Sequence, residues 1–242
     1  MKAGLFVTCL ADLMRPRIGF AALRLLESAG YEVVVPGTQT CCGQPGYNSG
    51  DRPSAQAIAR KVLREFQGCD YIVVPSGSCG GMIKAHYPEL LGDFPDLAKE
   101  VEDLAGRTYE LTDFLVNVAK IAGVPGNFTG TVTYHDSCSG LREMGVKQQP
   151  RALLAKMPGV ALKEMSTPEQ CCGFGGTFAV KFGGISARIA DQKCDDVCAT
   201  GASALVLGDL GCMLNIEGRL RRRGDQGIKV WHIAEVLAGM TD

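Results

Sequence analysis

The sequence predicts an α/β protein made of two tandem, pseudo-symmetric βαβ-type units, each with a parallel sheet. Three observations predict it. Short apolar, β-branched runs alternate with stretches of helical periodicity, the pattern of βαβ units. A set of four cysteines occurs twice: Cys9, Cys41, Cys42 and Cys79, then Cys138, Cys171, Cys172 and Cys212, at offsets of 129, 130, 130 and 133 residues. Both copies also finish alike, Tyr109-Glu110-Leu111-Thr112-Asp113-Phe114-Leu115 against Trp231-His232-Ile233-Ala234-Glu235-Val236-Leu237. Self-similarity at one fixed period marks a duplication.

In the first copy, strands are expected near 3–8, 32–36 and 71–75, and amphipathic helices near 17–29, 53–67 and 110–121. The second copy offers strands near 131–135, 160–165 and 203–207, with a long helix around 184–199. The first cysteine of each copy ends an apolar run, Leu5-Phe6-Val7-Thr8 or Val132-Thr133-Tyr134-His135. The last follows another, Tyr71-Ile72-Val73-Val74 or Ala204-Leu205-Val206-Leu207, through a glycine-containing turn that leads toward a helix. Those cysteines should therefore stand at the carboxyl edge of a parallel sheet, where ligands collect in open α/β folds. The units are expected at 1–123 and 128–242, with Ile121-Ala122-Gly123-Val124-Pro125-Gly126-Asn127 as the linker.

The 242 residues, 46% hydrophobic, are enough for two cores of ordinary size. A formal net charge of -1 leaves no basic footprint for nucleic acid or for an acidic membrane surface. No apolar run approaches the roughly 18 residues of a membrane span. Met1–Leu10 reads as a first buried strand rather than a secretory leader, so a cytoplasmic protein is expected. Eleven cysteines are unusual there, because disulfides are not normally maintained. Metal or redox chemistry is the leading explanation.

An iron–sulfur cluster needs several thiolates converging on one small volume. Neighbours on a strand face oppositely, so an adjacent Cys-Cys pair cannot easily reach one metal ion. A multi-iron cluster relaxes that restriction. Gly43 and Gly173, after each pair, would let backbone approach the cluster and amides point at sulfur. The alternatives are structural zinc, which usually takes Cys-x-x-Cys or His-x-x-x-His pairs that are missing here, a thiol–disulfide catalyst using the vicinal pair, and simple burial. Burial is the default for Cys69, Cys194 and Cys198, which have no partners in the repeat.

These residues resemble a known family. Cys…Cys-Cys-Gly…Cys, twice, resembles the duplicated cysteine-rich (CCG) domain of heterodisulfide reductase. Related domains occur in the iron–sulfur subunits of glycolate oxidase and anaerobic glycerol-3-phosphate dehydrogenase. The chain is more similar still to the lactate utilization protein A family. Thr40-Cys41-Cys42-Gly43-Gln44-Pro45, Val73-Val74-Pro75-Ser76-Gly77-Ser78-Cys79, Tyr134-His135-Asp136-Ser137-Cys138 and Cys171-Cys172-Gly173-Phe174-Gly175-Gly176-Thr177-Phe178 carry the likeness, and Asn215–Arg223 extends it. It implies an iron–sulfur redox subunit of a three-component system oxidising L-lactate to pyruvate. Electrons would pass toward the respiratory chain, which the complex would meet at the inner membrane through its partners. Those partners would be a second iron–sulfur subunit and a third small subunit. The ligands carried over are Cys9, Cys41, Cys42 and Cys79, and Cys138, Cys171, Cys172 and Cys212, with one or two [4Fe–4S] clusters per chain. The heterodisulfide-reductase pattern has a fifth cysteine per copy, within a closing Cys-x-x-Cys. Here Ser76 and Asp209 stand at that position, which argues against a noncubane cluster and disulfide reduction. Asp209 is either an oxygen ligand to iron or, like Ser76, a helix cap.

His135, three before Cys138, is a candidate iron ligand, proton carrier or donor to a cluster sulfur, or else a structural histidine. His86 and His232 have weaker claims. Arg142 and Lys181 are candidates for binding a lactate carboxylate. The run Arg219, Arg221, Arg222 and Arg223 reads as a solvated helix end or a docking surface. The glycines at 173–176 lack the Gly-x-Gly-x-x-Gly spacing, so no flavin or NAD is expected.

Overall fold

The computed structural model describes residues 1–241. β1 (Lys2–Leu5), β2 (Glu32–Val34), β3 (Tyr71–Val74) and β4 (Thr108–Glu110) form one four-stranded sheet in the order β2-β1-β3-β4. β5 (Gly130–His135), β6 (Val160–Leu162), β7 (Ala204–Leu207) and β8 (Lys229–His232) form a second in the order β6-β5-β7-β8. All pairings are parallel. The registers correspond too: Gly4 stands beside Ile72 as Thr133 stands beside Leu205. The predicted α/β fold with two parallel sheets is what the structure contains.

The central strands are covered on both faces, which their unbroken apolar character requires. Ile72, Val73 and Val74 are buried, as are Leu205, Val206 and Leu207. Helix Arg17–Ser28 buries Ile18, Ala21, Ala22, Leu25 and Leu26, spaced three and four apart along one face. It packs against Ile233–Ala238 of the other unit. One core therefore runs across both units, joining Leu5, Leu25, Val73 and Phe114 to Tyr134, Val206, Ile233 and Leu237.

Several elements differ from the sequence expectation. Each sheet has a fourth strand, and the segment expected as a helix over 110–121 begins with one. After Thr108–Glu110 come a helical turn, Leu111–Asp113, and a π-helical turn, Phe114–Val118. The strand is too short to show alternation, and only its pairing with β3 defines it. The apolar run from Leu5 also leaves β1 sooner than expected, because Thr8 turns the chain into the helix Cys9–Met14. In both sheets the chain crosses over between the first and third strands, so their carboxyl ends flank a topological switch point. Among the described residues no helix is long and apolar enough to cross a membrane.

Candidate metal centre

All eight repeated cysteines follow strand ends, at the carboxyl edge of their own sheets. Cys9 and Cys138 each open a helix, capped by Thr8 and Ser137 through Ala11 N–H (3.3 Å) and Gly140 N–H (3.3 Å). Cys79 and Cys212 are each the third residue of a helix, capped by Ser76 through Cys79 N–H (3.4 Å) and by Asp209 through Gly211 N–H (3.1 Å). The vicinal pairs lie in irregular loops closed by Gly43 at φ 87° and Gly173 at φ 85°. That left-handed backbone is why glycine stands there. At Gly173 a Cβ would also meet Ser186 O at 2.7 Å, so the missing side chain faces a helix rather than the cysteines. The amides do point at sulfur: Gly43 N–H to Cys41 Sγ and Gly173 N–H to Cys171 Sγ, both 3.3 Å.

Within each unit the four thiols gather close enough to act on one another. Cys42 Sγ lies 3.4 Å from Cys79 Sγ, and Cys41 acts on both Cys9 and Cys42. Cys138, Cys171, Cys172 and Cys212 repeat the arrangement. Neighbouring thiols hold Cys41 and Cys171 well below the ordinary thiol range; the same neighbours, with burial, push Cys9, Cys42, Cys138 and Cys172 up. Every one of these cysteines is free rather than disulfide-bonded.

Each set opens into a cavity roofed by the other unit. The first, about 270 Å³, is closed by Phe174, Thr177, Val180 and Leu210. The second, about 370 Å³, is closed by Gln44, Tyr47, Asn48 and His86. Ser78, Phe174 and Asp209 line both cavities, so the two sets share a wall.

A family model described as "CCG: Cysteine-rich domain" matches residues 3–84 and 132–217, once in each unit. The chain is 45% identical over 237 residues to "Lactate utilization protein A" of Bacillus cytotoxicus, covering 98% of both chains. It is 46% identical to the protein of that name from Geobacillus thermodenitrificans, again over 98% of both. The chain belongs to the lactate utilization protein A family. A solved structure, "Crystal structure of a hypothetical protein from Helicobacter pylori", superposes with a TM-score of 0.64 at 12% identity, over all of this chain and 49% of that one, and shows likeness of fold alone.

For this CCG protein, Asp209 lies at a crossing of the two units. It is buried; Oδ1 takes Gly211 N–H, while Oδ2 takes Ser78 N–H (2.9 Å) and Ser76 O–H (3.0 Å). Its carboxylate thus caps two helices, one from each unit. His135 is buried, and neither ring nitrogen makes a well-formed hydrogen bond. Its nitrogen and the sulfurs of Cys172 and Cys212 lie within 4.8 Å of one another, a group able to hold a metal. Burial pushes its imidazole down to about 4. Four converging thiols and a buried imidazole are the donor chemistry a thiolate-bound cluster requires, so these residues fit one.

Arg142 and Lys181 are exposed at helix ends and line neither cavity. His232 is a buried cap, its Nδ1 accepting Ala234 N–H at 3.1 Å. His86 does reach the second cavity, stacked on Tyr47 with ring centroids 5.1 Å apart and Nε2 3.5 Å from Glu143. The arginine run is largely spent within the fold: Arg219 on Asp191 (2.5 Å), Arg221 on Glu217 (2.6 Å) and Arg223 on Asp195 (2.6 Å). Sequence reasoning passed over Lys193, whose side chain is wholly buried against Thr167 O (2.5 Å). Its place between Ala190, Cys194 and Val197 on the buried face of the long helix was a readable signal.

Proposed function

We propose that this chain is the iron–sulfur redox subunit of a cytoplasmic L-lactate-oxidising system. A [4Fe–4S] cluster would sit on each cysteine set, and electrons would pass toward the respiratory chain through a second iron–sulfur subunit and a third small subunit. The observation that carries this reading is the paired geometry: two sets of four free thiols, each gathered around its own cavity at a sheet switch point. The names of the relatives supply the lactate connection.

Cys9, Cys41, Cys42 and Cys79 would hold one cluster and Cys138, Cys171, Cys172 and Cys212 the other, supplying reversible one-electron storage. The residues around them prepare the site. Gly43 and Gly173 amides aim N–H groups at sulfur, which favours thiolate. Phe174 and Leu210 line the first set's cavity, while Tyr47 and His86 line the second. Among the described residues no arginine or lysine lines either cavity to hold a lactate carboxylate. We therefore place lactate oxidation on a partner and electron transfer here.

Anaerobic purification, with iron and sulfide counted per chain and an electron paramagnetic resonance spectrum after reduction, tests the reading. About eight irons and eight sulfides are expected for two [4Fe–4S] clusters, and Cys42→Ser and Cys172→Ser should each lose half. Colourless protein containing zinc, or no metal after reconstitution, would sink it.

A further inference from the structure

The two units share a fold but differ in what lies behind their cysteines. Phe6 and His135 hold the same position, directly after the corresponding strand residues Leu5 and Tyr134 and three before Cys9 and Cys138. Phe6 is buried against Phe66, ring centroids 5.7 Å apart. His135 is equally buried; neither ring nitrogen makes a well-formed hydrogen bond, and the Pro168 carbonyl is the backbone oxygen that acts on the ring.

A second pair repeats the contrast. The helix atoms nearest Gly43 belong to Ala55 and Ile58, and those nearest Gly173 belong to Ser186 and Ile189, a shift of 131 residues. By that shift Lys193 corresponds to Val62, and both are buried. Lys193 acts electrostatically on Cys171, Cys172 and His135. The first unit also anchors its loop with a lysine, Lys61 on Thr38 O, but that side chain is 33% exposed where Lys193 is 0% exposed. The carboxylates beside the two lysines, Glu65 and Asp196, correspond to each other, and Asp136, buried behind the second set, is neutralised by Arg151 at 2.9 Å through both oxygens. Asp209, buried and lining both cavities, acts on Cys138 and Cys212 and opposes added negative charge on the second side. Set against it there are a wholly buried ammonium, paired with Asp196 at 3.9 Å where the first unit's lysine is part-exposed, and an imidazole where the first unit has a phenyl ring.

Reduction adds one negative charge to a cluster. A buried cation and an N–H donor aimed at sulfur stabilise that charge, and they act more strongly where water is excluded. A phenyl ring and an isopropyl group offer neither. We infer that the second-half centre has the higher reduction potential of the two, and that His135 and Lys193 make it so. The inference rests on the proposal that both sets hold clusters. At equilibrium a single electron placed on the chain would reside in the second unit. His135 here is a positioning residue that donates its N–H to the centre, and Lys193 acts through space.

A redox titration of the anaerobically purified full chain, followed by electron paramagnetic resonance with iron counted in parallel, tests this. The expected result is two resolved steps. Lys193→Met and His135→Phe should each lower the upper step, leaving the lower step and the iron content unchanged. The converse variant, Phe6→His, should raise the lower step, which keeps the inference testable if the buried replacements fail to fold. Coincident steps in a fully loaded chain, or variants that move the wrong step, would overturn the inference while leaving the cluster assignment intact. A chain without iron would overturn both. Loss of half the iron in His135→Phe would overturn the donor role by making His135 a ligand, and Lys193→Met would then decide the order of potentials.

Discussion

Replacing Asp209 with alanine tests how the two units are joined. The carboxylate is 3% exposed and takes three donors: Gly211 N–H of its own helix, and Ser78 N–H and Ser76 O–H of the other unit. Losing an N-cap costs about 1 kcal/mol. Leaving the Ser78 amide without its partner costs roughly 1–3 kcal/mol more. The Ser76 hydroxyl keeps a partner in Ser78 Oγ at 3.2 Å and adds little. The sum is about 3 kcal/mol. Urea unfolding of the metal-free chain, followed by circular dichroism, should show a lower midpoint with an unchanged slope. Asp209→Asn keeps an acceptor for one helix and should lose about half as much. A change below about 0.5 kcal/mol in Asp209→Ala would refute the reasoning, since surface sites away from specific features behave that way. The same Asn variant separates cap from ligand: retained iron fits a cap, and iron loss from a stably folded protein identifies a metal ligand.

Three further outcomes are expected. Burial pushes the Glu110 carboxyl up from 4.5 to about 7, so the folded protein holds a proton that the unfolded chain releases. That stabilisation is complete below about pH 4.5 and is lost as pH rises to about 7, a change of about 3 kcal/mol; unfolding free energies of Glu110→Gln across this window should lack the decline. In Gly77→Ala the new methyl would stand 2.6 Å from Gly140 backbone atoms, and calorimetry should find a destabilisation of about 3 kcal/mol, or a Tm lower by about 6–12 °C. Gly43→Ala, at φ 87°, should cost about 1–2 kcal/mol by the same measurement, through backbone strain.

The duplication, three of the four strands in each sheet and the gathering of cysteines at strand ends were legible because they rest on local signals: period, apolar runs and spacing. Thr108–Glu110 and Lys229–His232 were not, because three or four residues with a charge at one end have no pattern until a neighbouring strand pairs with them. The roof over each cysteine set was also hidden. Phe174 reaches the first cavity and Tyr47 the second only because the units dock face to face. That docking depends on a close approach of Gly77 to Gly140 backbone, and single glycines in a glycine-rich chain do not announce their contacts.

The divergence at Ser76 and Asp209 follows from that docking. Helix Gly77–Gly81 packs on Cys138–Arg142, while Leu210–Arg223 packs on Cys9–Met14, so each unit offers the other its first and last cysteine helices in reciprocal fashion. A reciprocal arrangement brings corresponding residues together near its axis, and Ser76 and Asp209, 133 positions apart like Cys79 and Cys212, meet there at 3.0 Å. Two aspartates at that spot would place like charges against each other in a buried wall, which is costly. Two serines would leave fewer acceptors for the amides at the helix starts. One of each gives a hydroxyl that donates and a carboxylate that accepts from both units. The duplicated chain therefore gains from being unequal at its own axis, and that inequality ties each cysteine set to the unit that roofs it.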